Sequence, residues 1–297
     1  MTSLQCCART ISEPDVSRRI PEVQVGAPWR QPLGTLGELT ARARIRAESL
    51  VARRAEIELA AASSPTAPSF SGALRGANVA VIAEIKRRSP SRGEINGALC
   101  AGDQAEAYMR GGAAAVSVLT EPERFGGAPQ DLSEARQRVQ LPLLRKDFVV
   151  HALQIAEARS LGASAVLLIA RALDPVLLAE LADAAREFGT EPFVEVRDDT
   201  ELTRALRVGA KVIGVNNRDL ETLQVNLETV PAIVPRIPPD VIAVAESGIG
   251  SRADVERASE AGADAVLVGS SLSAARDPAE AVRAIVGVPR RPRAPRA

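Results

Sequence analysis

Cysteine is scarce, with three in 297 residues. Cys6 and Cys7 sit side by side in a polar leader and Cys100 stands alone, so neither a disulfide framework nor a metal-ligand spacing emerges. The single histidine, His151, offers nothing around which a metal site could be built; just past an apolar segment, it suits a surface or helix-capping residue. Net charge is missing too, because 37 Lys and Arg balance 37 Asp and Glu. No global field therefore draws the chain to nucleic acid or membrane, and anion binding is left to local sites. No apolar run reaches the ~18 residues of a membrane span. The start, MTSLQCCARTISEPDVSRR, lacks the basic-then-apolar order of a secretory signal. These absences leave a reducing, cytoplasmic setting as the default.

What is present is the composition of an ordinary globular protein, 46% hydrophobic and 25% charged. Residues 1–33 are rich in Pro, Arg and Ser without periodicity, which predicts a disordered leader. From Gly34 to Ala62 the residues Leu36, Leu39, Ala43, Ala47, Leu50, Arg54 and Ile57 fall on one helical face, ahead of the main fold. Trp29 and Tyr108 read as packing residues. Residues 289–297, PRRPRAPRA, predict a basic, solvated tail.

Between these ends, short apolar segments alternate with longer amphipathic ones. VAVIAEI, AAAVSVL, LPLLRK, SAVLLIA, PFVEV, KVIGVN, VIAVAES and DAVLVG are short and rich in β-branched residues, as strands buried on both faces are. GAAAVSV, GASAVLL, GAKVIGV and GADAVLV recur from Gly112, Gly162, Gly209 and Gly262, roughly fifty residues apart. Each Gly-Ala reads as a left-handed helix cap that leads straight into a strand. The pattern predicts an α/β fold, a (β/α)8 TIM barrel over residues 34–288 with an extra N-terminal helix. An open, doubly wound sheet would want G-x-G-x-x-G after the first strand, and none follows.

Polar residues gather where these strands end. Glu84 and Lys86 end the first, Lys146 and Asp147 the third, and Glu195 the fifth. Asn216 and Arg218 end the sixth, Glu246 and Ser247 the seventh, and Gly269 and Ser270 the eighth. A barrel converges all of these on the face where its active sites lie. ESGIGSRAD after the seventh strand and VGSSL after the eighth are glycine-containing and precede helices, as phosphate-binding loops do. Glu84 and Lys86, two apart on an extended strand, point to the same side. Ser89-Pro90 then makes a turn.

These segments resemble indole-3-glycerol phosphate synthase over about Leu36 to Gly287. The resemblance rests on VIAEIKRRSPSRGEI at 81–95, then VLTEPERFGG, LPLLRKDFVV, VEVRDDTEL, VIGVNNRDLETL, VAESGI and VGSSL, in that order. It implies a carboxy-lyase of tryptophan biosynthesis that closes the pyrrole ring of 1-(2-carboxyphenylamino)-1-deoxyribulose 5-phosphate, releasing carbon dioxide and water. It implies no metal or organic cofactor, and a phosphorylated small molecule as partner; monomer and homodimer both stay open.

Carried over residue by residue, the resemblance makes Lys146 the general acid and Glu195 the base. Lys86 becomes a second acid or carboxylate clamp, while Glu84, Asn216 and Glu246 orient the lysines or bind substrate. Ser89, Pro90, Arg218 and Ser247 match the binding shell. Phe125, Phe148 and Leu220 match the apolar walls for the anthranilate ring, and Gly248, Gly269 and Ser270 the phosphate site. The chain departs from the family pattern at Arg124, where an aromatic is common, and at Ala128 and Arg197. HALQ at 151–154 departs as well. A phosphoribosylanthranilate isomerase would want cysteine at the end of the first strand, where this chain has Glu-Ile-Lys. A binding-only relative would have lost an acid or base, and all four of Glu84, Lys86, Lys146 and Glu195 are present.

Overall fold

A computed structural model describes residues 29–293. The leader expected at 1–33 lies outside them up to residue 28, and the tail from residue 294. Eight parallel strands close into a barrel: β1 (Ala80–Ile85), β2 (Ala115–Leu119), β3 (Leu143–Lys146), β4 (Ala165–Ile169), β5 (Glu191–Val196), β6 (Val212–Asn216), β7 (Ile242–Glu246) and β8 (Ala265–Val268). Each strand pairs with its neighbours in chain order, and β8 returns to β1 with Ile82 opposite Leu267. No barrel strand has an open edge, so every ladder of the barrel is satisfied internally. Nearly every strand residue is buried, which is why the sequence shows apolar runs rather than alternation.

Local chemistry places the helices between them. Gly112 and Gly262 close their helices with φ of +94° and +89°, a conformation that a side chain would strain. Helix starts carry acceptors for the unpaired N–H groups. Asp174 Oδ1 accepts from Val176 and Leu177 ahead of Pro175–Glu187. Ser251 and Asp254 form a reciprocal box at Arg252–Glu260. His151 is such a cap as well: its Nδ1 accepts the Leu153 N–H at 3.1 Å ahead of Ala152–Ser160.

The N-terminal helix differs from the single element expected over 34–62. It breaks at Ala52 and Arg53 into α1 (Gly34–Val51) and α2 (Arg54–Ser63). The bend follows from two separate docking surfaces. Leu36, Leu39, Ala43 and Ala47 of α1 join the main core, whereas Ile57 and Ala61 of α2 pack with Ala156 in a satellite cluster. At the opposite end of the barrel, Phe70 packs edge-on against Phe193, with ring centroids 6.1 Å apart. Its short helix is held by Glu191, whose Oε1 accepts from the N–H of Phe70 at 2.7 Å.

The basic tail was expected to be solvated; within 289–293 Pro289, Arg291 and Pro292 are exposed, whereas Arg290 and Arg293 are docked. Pro289 bridges Asn78, and Arg290 N–H donates to the Ala77 carbonyl. Asp264, just before β8, accepts from Arg290 at 3.0 Å and from Arg293 at 2.7 Å. The Arg293 side chain is only 3% exposed, so this arginine is drawn out of water by a buried carboxylate that also accepts the Ala243 N–H at 2.8 Å. Among the described residues no helix is long and apolar enough to cross a membrane.

Removing this carboxylate strands two arginines and one strand amide. Asp264→Ala is therefore expected to lower unfolding free energy by roughly 3 kcal/mol in a denaturant titration. A loss no larger than that of an exposed Asp→Ala control would remove the anchoring role.

Candidate active site

The C-terminal strand ends surround a cavity of about 410 Å3. Every residue expected at the site from the sequence lines it: Glu84, Lys86, Ser89, Pro90, Phe125, Lys146, Phe148, Glu195, Asn216, Arg218, Leu220, Glu246, Ser247, Gly248, Gly269 and Ser270. Two ammonium groups organise its floor. Lys86 Nζ lies 2.6 Å from Glu84 Oε1. Lys146 Nζ lies 3.3 Å from Glu195 Oε2 and 3.2 Å from Glu246 Oε2. All of these carboxylates are buried.

Burial opposes each charge here, and the partners decide the balance. Burial would drive Lys146 toward the neutral amine, but Glu246, Glu195 and Glu84 together outweigh it and keep the ammonium firmly protonated. For Glu84, burial is overcome by Lys86, Lys146 and Arg218, which hold its carboxyl below the ordinary carboxylate value. Glu246 goes the other way. Burial, with the Glu195 and Glu84 charges added, exceeds the pull of Lys146 and raises it to about 8. Two carboxylates share one ammonium, so one of them is held close to neutral.

Several contributors escaped the sequence reading. Gly214, inside β6, faces Glu246; a β-carbon there would overlap Glu246 Oε1 and the Phe193 ring. A glycine in a strand interior is the signal that could have found it. Glu246 Oε1 is itself buried with no hydrogen-bond partner, as is Ser271 Oγ in the turn after β8. Ser247 adopts a left-handed backbone, φ +64°, followed by Gly248 at +77°. Such strain in a non-glycine residue is typical of ligand-binding turns.

Tyr108, expected to be incidental packing, anchors the exit of β1. Its hydroxyl donates to the Glu84 carbonyl at 3.0 Å, and Ser273 Oγ donates to the same oxygen at 2.9 Å. Burial pushes the Tyr108 phenol up to about 12, so it stays a donor. Asp147 does the equivalent work at β3. Its Oδ2 accepts from Thr120 at 2.7 Å and from the buried Arg145 at 3.1 Å, and its Oδ1 from the Phe148 N–H at 2.8 Å. Phe148 is thereby fixed beside Phe125, with ring centroids 6.4 Å apart.

From above, α1 brings Thr35 and Leu39 to the cavity wall. Arg46 of α1 reaches Asp147 at 3.5 Å and Glu121 at 3.6 Å. Arg124 pairs with Glu38 of α1 at 3.0 Å. Ahead of α1, Trp29 donates to the Arg171 carbonyl at 3.2 Å and Leu33 N–H donates to Glu221 at 2.9 Å.

The family model of indole-3-glycerol phosphate synthase matches residues 36–285. The chain belongs to the indole-3-glycerol phosphate synthase family. It is 48% identical over 251 residues to the indole-3-glycerol phosphate synthase of Opitutus terrae, covering 82% of this chain and 94% of that one. It is 44% identical over 255 residues to that of Rhodococcus jostii, covering 86% and 95%. Among solved structures, thiamine phosphate pyrophosphorylase from Pyrococcus furiosus superposes with a TM-score of 0.52 at 17% identity, over 73% of this chain and 96% of that one. That likeness shows the barrel alone.

A synthase site built this way loses stability as pH rises. The raised carboxyl of Glu246 contributes fully below the ordinary value of 4.5, and the contribution is lost as pH climbs through about 8. Glu246→Gln, which cannot ionise, is therefore expected to gain in melting temperature relative to the parent between pH 5 and pH 9. Thermal melts across that range that keep a constant difference would show that Glu246 is ionised throughout.

Proposed function

We propose that the chain converts 1-(2-carboxyphenylamino)-1-deoxyribulose 5-phosphate to indole-3-glycerol phosphate, with carbon dioxide and water as co-products. The observation that carries this reading is the Lys146 ammonium, buried at the floor and held between Glu195 and Glu246 at 3.3 and 3.2 Å. A ketone oxygen placed on that ammonium gains negative charge as the ring carbon bearing the carboxylate attacks. A donor fixed beforehand by two carboxylates needs no reorganisation to meet it. Proton transfer then follows the developing charge.

The carboxylate next leaves as carbon dioxide and its bonding electrons restore the aromatic ring. Lys86, anchored on Glu84, supplies the proton with which the new hydroxyl departs as water. Glu195 takes the proton from the carbon beside nitrogen, completing the indole. Arg218 is fixed at the rim by the Asn216 side chain, which accepts its N–H at 2.9 Å, and by the Leu223 carbonyl at 2.8 Å. There it meets the substrate carboxylate. Phe125, Phe148 and Leu220 hold the aromatic ring, while Ser247, Gly248, Gly269, Ser270 and the unpartnered Ser271 hydroxyl take the phosphate. With α1 across the mouth, water is kept from these charges and each acts at greater strength. The reading extends to a cytoplasmic setting and to a phosphorylated small molecule as the one partner the site requires.

Turnover of purified protein, followed by indole fluorescence, tests the reaction. Lys146→Ala is expected to lower kcat by roughly 100-fold or more, while affinity for a reduced substrate analogue changes far less. Unchanged turnover in this variant would remove Lys146 as the acid.

A further inference from the structure

Behind Glu195 lies a second cavity, of about 580 Å3, between the exits of β4, β5 and β6. Ile169, Glu195 and Leu220 border both it and the reaction cavity. Arg197, Glu201 and Asp219 belong to its charged remainder. Glu201 is buried on the first turn of the helix Asp199–Arg207. Its Oε2 accepts the Arg197 N–H at 2.8 Å, which satisfies the turn after β5. That task needs only an acceptor, and an amide would serve it equally. An acid at this position is chemically more than the turn requires.

The proposed reaction has a use for that acid. Each turnover takes one proton at the ketone oxygen and one with the departing water, and returns one from the carbon beside nitrogen. The balance is one proton consumed, because the substrate's carboxylate leaves as neutral carbon dioxide. The proton that Glu195 collects replaces only one of the two that the lysines give up, and Glu195 can pass a second to Lys146, its neighbour at 3.3 Å. The second must enter from solvent into a site that α1 covers.

We infer that the second cavity is the proton inlet of the reaction cavity, with Glu201 relaying protons from solvent to the Glu195–Lys146 pair. The inference rests on the proposed reaction and on Glu195 as its base. In each cycle the Glu201 carboxyl gives up its proton across the cavity and ends as carboxylate, which solvent then reprotonates. Burial pushes Glu201 up to about 7, with the charges of Asp198 and Glu195 adding to the rise and Arg171 opposing it. Arg204, one turn on, is the other charge that faces it. The group therefore loads and unloads a proton near neutrality, as a relay must.

Glu201→Gln keeps the cap and removes the proton. In full-length enzyme, kcat is expected to fall roughly tenfold or more near pH 7 with KM unchanged, and added imidazole is expected to restore it. A kcat–pH profile identical to the parent's would overturn the inlet, as would a loss that no small buffer repairs. Glu201→Asp, still titratable, is expected to turn over without added buffer; a buffer requirement there would also overturn the relay. These outcomes leave the reaction itself standing. Absence of turnover in the parent enzyme would instead overturn the proposed reaction, and the inlet with it.

Discussion

One buried ammonium sets the terms for the rest of this structure. The Lys146 side chain is largely withdrawn from water, and a lone charge there would cost several kcal/mol. It is tolerated because Glu195 and Glu246 arrive beside it from two other strands, and Glu84 lies within electrostatic reach. Those carboxylates are in turn costly to bury, and at Glu246 burial, with the Glu195 and Glu84 charges added, is not fully offset by Lys146. Such a cluster persists only on a scaffold rigid enough to stop it relaxing. A closed barrel with no free edge is that scaffold.

Rigidity at the rim is supplied separately for each lysine. On one side Tyr108 and Ser273 hold the Glu84 carbonyl, while Arg87, next after Lys86, pairs with Asp131 at 2.5 Å. On the other, Arg145, Thr120 and Asp147 form a buried network directly behind Lys146. Arg46 carries that second network up into α1. The covering helix is thus joined by charge to the strand bearing Lys146, not merely laid across the mouth.

The sequence displayed most of this fold because barrel strands buried on both faces leave compact apolar runs, and because Gly-Ala caps repeat at a steady interval. The strand-end residues were equally visible, since a charge closing an apolar run stands out against the strand it ends. What stayed hidden depends on contacts between distant residues. The α1–α2 break is one such case, because the apolar stripe continues in phase across Ala52 and Arg53 and only the two docking surfaces separate them. Tyr108 is another: its partner is a backbone carbonyl 24 residues away, which no side-chain pattern encodes. The docked arginines at 290 and 293 look like a solvated tail until Asp264 is found beneath them. Gly214 alone left a trace, as a glycine inside a strand.

The exit of β1 carries Glu84 and Lys86, and part of what holds it comes from the far end of the chain. Ser273 donates to the Glu84 carbonyl and accepts the Lys86 N–H, and β1 itself is paired with β8. A polypeptide emerging from the ribosome makes its first strand long before its last. Lys86 therefore lacks part of its anchorage until nearly two hundred further residues have been synthesised. A nascent chain can bury most of its core early, but the charge cluster assembles only when the ring closes. Truncated or stalled chains lacking the final βα unit would carry every carboxylate and lysine of the cavity floor and still have no working site.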